Sequence, residues 1–113
     1  MASLKKCPPK PNCAEENCAA ERGMRILGGR WTSSIMWHLR PGGVRFNELA
    51  RQLPSASKKM ITQRLRELEE NGLVAREVLS TKPIAVAYSL TPFGCSATGI
   101  MDEVAAWVER EGL

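Results

Sequence analysis

The chain has 113 residues, 43% of them apolar, enough for one small domain and too few for a comfortable second. Its formal charge of +4 and isoelectric point near 9.1 favour anionic partners. No apolar run approaches the roughly 20 residues of a membrane span, and "MASLKKCPPKPNC" places no apolar stretch behind its lysines, which argues against a secretory signal. The expected location is the cytoplasm, where the cysteines stay mostly reduced.

Residues 1–17 hold Pro8, Pro9 and Pro11 with little apolar periodicity and read as a flexible N-terminal arm. Residues 18–113 read as the folded domain. "CAAERGMRIL" sets Ala20, Met24 and Leu27 at helical spacing and stops at Gly28-Gly29. "RWTSSIMWHLRPGG" predicts a second helix with Trp31, Ile35 and Leu39 on one stripe. In "VRFNELARQLP", Phe46, Leu49, Ala50 and Leu53 follow the i, i+3, i+4, i+7 pattern of a short amphipathic helix closed by Pro54. Ser55 or Ser57 then caps a fourth helix, which Gly72 ends.

Beyond Gly72 the periodicity changes to that of strands. Ile84, Val86, Tyr88 and Leu90 alternate with Ala85, Ala87 and Ser89, predicting a half-buried strand. Leu73 to Leu79 supplies its antiparallel neighbour, with "STKP" at the tip. "TPFGCSATGIMDEVAAWVEREGL" opens a last helix with Thr91 as cap and Pro92 at its first position. The stripe of that helix, Ala97, Ile100, Met101, Val104, Trp107 and Val108, has more apolar positions than one face of a small domain buries easily. That excess predicts a dimer interface, completed by the first helix. The fold class expected is α+β, mostly helical: a winged helix-turn-helix with a C-terminal dimerisation helix.

The fourth helix, "SKKMITQRLRELEENG", carries its charges against the helix dipole. Lys58, Lys59, Arg64 and Arg66 lie toward its start, and Glu67, Glu69 and Glu70 toward its end. Ile61, Leu65 and Leu68 share one face, and Lys59, Gln63 and Arg66 stand opposite, flanked by Thr62. A polyanion at the N-terminal half accounts for this order. Gln63 suits adenine and Arg66 suits guanine, while Ser57, Lys58, Lys59 and Thr62 suit phosphates or base edges. Arg45 and Asn47, at the start of the preceding helix, and Lys82, at the hairpin tip, are further candidate DNA contacts. The bland alternative is a solvated cationic surface; the position between a short helix and a hairpin favours double-stranded DNA.

"CAAERGMRILGGRW", "RFNELARQLP", "SKKMITQRLRELEENGLV" and "AYSLTPFG" resemble, in order and spacing, the HxlR-type family of winged-helix regulators. The likeness runs from Cys18 into the last helix. It implies a homodimeric, DNA-binding transcriptional regulator, with the terminal helices forming the dimer interface. It also implies that Cys18 senses oxidants or electrophiles. Two positions depart from the family pattern. Ala19 follows Cys18 where Pro is frequent, and Ala85 stands where a polar wing residue is usual, leaving Lys82 as the substitute wing contact.

Cys7, Cys13, Cys18 and Cys95 show no C-x2-C pair, and His38 has no second histidine, so neither a metal nor a cofactor is expected. From spacing alone two readings of Cys18 stand: a small buried apolar residue, or a thiolate favoured by a helix start with Arg22 one turn on. Cys7, Cys13 and Cys95 are possible pairing thiols for Cys18. Trp31, Trp37 and Trp107 read as core or interface, and His38 as a residue at the surface or core edge. A small thiol redox enzyme lacks the C-x-x-C it would need. A winged-helix protein–protein module without DNA binding would present an apolar or acidic face where this one is basic and polar.

Overall fold

The computed structural model describes residues 18–113; the arm reading of residues 1–17, with Cys7 and Cys13, lies outside the described residues. Cys18 caps the first helix, α1 (Ala19–Leu27), its Sγ accepting the Glu21 N–H at 3.4 Å. After the Gly28-Gly29 turn comes α2 (Thr32–His38). The buried Thr32 donates its hydroxyl proton to the Gly28 carbonyl at 3.0 Å, fastening the turn to the new helix. A two-residue strand, β1 (Val44–Arg45), leads into α3 (Phe46–Gln52). Ser57 accepts the Met60 N–H at 3.1 Å and so caps α4 (Lys58–Glu70), the role expected of it.

The hairpin is β2 (Val74–Thr81) and β3 (Ile84–Leu90), and α5 (Pro92–Arg110) follows. Thr91 both caps α5, accepting the Gly94 N–H at 3.0 Å, and donates to the Gly72 carbonyl at 2.6 Å. A Cβ on Gly94 would run into the Leu73 carbonyl oxygen, so only glycine allows α5 to start this close to the sheet. Arg40 fastens α5 from the other side, donating to the Thr98 carbonyl at 2.9 Å and pairing with Asp102 at 2.7 Å.

Ile35, Met36 and Leu39 of the α2 segment meet Leu49 and Leu53 of α3, Ile61, Leu65 and Leu68 of α4, Leu73 and Val74 at the base of the hairpin, and Ala97 of α5. This is one core, with the helical stripes expected for the second, third and fourth helices. The architecture is the expected winged helix-turn-helix. Among the described residues no helix is long and apolar enough to cross a membrane.

Three details differ from expectation. The sheet has three strands in the order β1-β3-β2, because Val44 pairs with Tyr88 and Arg45 with Ala87. Two residues are too few for a sequence period, and only their tertiary partner makes them a strand. The β2–β3 ladder runs out to Thr81 opposite Ile84, so Lys82 and Pro83 alone form the tip, and Leu79 bulges between Val78 and Ser80. In β3 both rows from Ala85 to Leu90 are half-buried, whereas Ile84 is exposed. With β1 on one edge and β2 on the other, the alanine row is shielded too. Beyond Ala87 the β1 edge is open, so Ile84 rides on a projecting two-stranded end.

Candidate nucleic-acid interface

Helix α4 is set by what lies beneath it. Ile61, Leu65 and Leu68 are buried at successive turns, which turns Lys59, Gln63 and Arg66 outward at 100° per residue. All three are exposed, as are Ser57 and Lys58 at its start. Four backbone N–H groups point out of that end, and the Ser57 cap satisfies the one on Met60. Donors and two lysines therefore concentrate where a phosphate would sit. Gln63 donates to Glu67 at 3.4 Å, an exposed contact that it can exchange for a base edge.

The flanks of α4 do different work. On one flank Thr62 donates to the Lys58 carbonyl at 2.8 Å and lines an open groove of about 720 Å³. Arg45 and Asn47 of the α3 start and Ile84, Ala85 and Val86 of the wing line the same groove. The structure thus brings Arg45, Asn47 and Thr62 together, with Lys82 exposed at the wing tip beyond them. On the other flank is Arg64. Its Nε donates to the Arg30 carbonyl at 2.9 Å, its Nη1 pairs with Glu67 at 2.8 Å, and its side chain is only 18% exposed. Arg64 belongs to the charge order read from the sequence, but it turns inward and straps the α1–α2 turn to α4. Gly29, at φ +99°, lets it in: a Cβ there would lie 3.1 Å from the guanidinium carbon.

Cys18 is half-buried at the start of α1, and Cys95 is an exposed thiol in the first turn of α5. The apolar stripe of α5 divides. Ala97 is buried and Met101 packs on the core, while Ile100, Val104 and Trp107 are each about half exposed, at 56%, 49% and 50%. Val108 lies half-buried beside them.

The model of the HxlR-like helix-turn-helix family matches residues 26–112, most of the described chain. The chain belongs to that family. It is similar to the uncharacterized HTH-type transcriptional regulator YtcD of Bacillus subtilis, with 41% identity over 91 residues, 80% of this chain and 72% of the relative. It is also similar to YodB of the same organism, another HTH-type transcriptional regulator, and superposes on the reduced form of YodB with a TM-score of 0.73. That superposition has 36% identity and covers 82% of this chain and 92% of the other. The redox regulator HypR in its reduced form gives a TM-score of 0.75 and 39% identity, over 82% and 92% of the two chains.

In this HxlR-type chain, sequence reasoning missed two side chains of the interface region. Arg64 looked like the other cations of α4, because helical spacing places it on a flank without saying what packs there. The signal available was Gly28-Gly29, which read only as a helix stop. Ile84 looked like part of a half-buried row, since the length of β1 was not visible.

Proposed function

We propose that this HxlR-type chain is a DNA-binding transcriptional regulator that acts as a homodimer on an inverted-repeat operator and responds to oxidants or electrophiles through Cys18. The observation that carries the reading is the outer face of α4. Lys58, Lys59, Gln63 and Arg66 stand exposed above three buried core residues, beside a groove shared with Arg45, Asn47 and the wing. A rigid helix with donors at its free end suits a major groove, and two copies would reach successive grooves about 34 Å apart. Supporting the homodimer are Ile100, Val104 and Trp107, an apolar row left half exposed on one chain. Supporting the thiol response are the place of Cys18 at a helix N-terminus, where the thiolate is the reactive form, and the likeness to HypR, described as a redox regulator.

Fluorescence anisotropy with duplexes selected from a random library tests the reader. Lys59→Ala should weaken binding to every duplex and lower the slope of affinity against salt by about one. Gln63→Ala should relax preference at one base pair, by roughly 1–3 kcal/mol for a bidentate contact. Unchanged affinity and preference in both variants would remove α4 as the reader.

A further inference from the structure

The wing ends in an apolar residue that the fold leaves bare. Ile84 is 78% exposed; among the large apolar side chains described, only Leu113 at the chain end is more so. Ile84, Val86, Tyr88 and Leu90 share one face of β3 by its two-residue period. Tyr88 and Leu90 pack on the core, and Ile84, Val86 and Tyr88, with Ala85 of the other row, line the groove that Thr62, Arg45 and Asn47 also line. Ile84 therefore looks toward the side of the molecule that α4 presents. Val78, the cross-strand partner of Val86, is 48% exposed on the same face, so an apolar strip runs from the groove to the tip.

Charge around the strip indicates what covers it. Lys82 is exposed at the tip, and Arg45 stands on the opposite wall of the groove, where Arg51 and Glu48 neutralise each other. Of the nearby carboxylates, Glu48 is engaged by Arg51 at 2.8 Å, and Glu77 pairs with Ala87 and so lies on the other face of the sheet. Ala85 supplies no donor. A short apolar projection edged by cations, continuous with a basic helix, fits a polyanion whose grooves have apolar sugar walls. With α4 in the major groove, a projection beside it meets the adjoining minor groove, about 6 Å wide.

We propose that Ile84 enters the minor groove of bound DNA as an apolar wedge, with Lys82 on the adjoining phosphate. The proposal rests on the DNA-binding reading above and adds how the wing acts. A side chain without donors reads no base edges. It presses on the sugars and the stack, and favours steps that unstack easily, the pyrimidine–purine steps. Each half-site should then carry a flexible step where the wing lands, and the duplex should bend there.

The test uses the full chain and duplexes it selects from a random library, read by anisotropy and by end-to-end energy transfer for bending. Ile84→Ala should weaken binding about tenfold, reduce the bend, and lose the selected flexible step, with the salt slope unchanged because no phosphate contact goes. Ile84→Met should retain most of the affinity and bend. Lys82→Ala should instead lower the salt slope by about one. Parent-like binding and bending in Ile84→Ala, with Lys82→Ala altering the slope, overturns the wedge and leaves the reader intact. Failure of the parent to select any duplex overturns the DNA-binding reading and the wedge together. Loss of dimers in sedimentation of Ile84→Ala, with affinity lowered but the bend and the selected step unchanged, overturns the wedge by making the strip a contact between two copies.

Discussion

Arg64 straps α4 to the turn that follows α1, and yet the two helices are held in opposite ways. Helix α4 buries Ile61, Leu65 and Leu68, while α1 buries no residue and leaves Met24 74% exposed. Among the described residues of α1, Ile26 and Leu27 at its end are the apolar side chains that pack against the core. The position of α4 is thus decided within one chain, by apolar contacts that cannot shift without opening cavities. Among the described residues, α1 meets the core through its last turn, next to the α1–α2 turn that the strap holds, and in the proposed homodimer a second subunit adds to this. If α4 reads DNA as proposed, a displacement driven through Cys18 would fall on α1 and not on α4, whose three core residues hold it in place.

Substitutions should reveal the contrast, the largest effect coming from beneath α4. Leu65→Ala should cost about 3 kcal/mol of unfolding free energy in urea, whereas Met24→Ala, made in a monomeric Ile100→Asp, Val104→Asp background so that no second subunit covers α1, should stay within about 0.5 kcal/mol. Similar losses at the two sites would show α1 to be as firmly packed as α4.

Next in size is the proposed interface. Ile100→Asp with Val104→Asp should give folded monomers by sedimentation, with operator binding weakened at least about tenfold because the two readers are no longer linked. Dimers surviving that double change would place the interface elsewhere.

Arg64→Met keeps the stem against Gly29 and removes the hydrogen bond and the ion pair. It should cost about 1–2 kcal/mol of stability, leave base preference unchanged, and blunt the effect of diamide on DNA binding. A change in base preference would return Arg64 to the reading face.

The smallest effect on stability is expected at Cys18, and there the readout is response. Cys18→Ser should bind the operator as the parent does under reducing conditions and keep that binding in diamide or a quinone. In the parent the response should be faster at higher pH, since the thiolate is the attacking form; the variant should show no response at either pH. A variant as sensitive as the parent would move the trigger to another cysteine.

Much of this was legible in the linear text. Helical spacing placed Leu49, Leu53, Ile61, Leu65 and Leu68 in the core, and put Thr91 and one of Ser55 and Ser57 at helix caps, because these signals depend on residues a few positions apart. The outward row Lys59, Gln63 and Arg66 followed from the same period. What the sequence could not decide were contacts between segments distant along the chain. Val44 and Arg45 become a strand only because Tyr88 and Ala87 lie beside them. Ile84 is bare because β1 is too short to cover it. Arg64 turns away from solvent because a carbonyl at residue 30, and a glycine beside it, offer a place for a guanidinium. Local periodicity assigns a residue to a face; only the packed chain determines which faces find partners and which are left open.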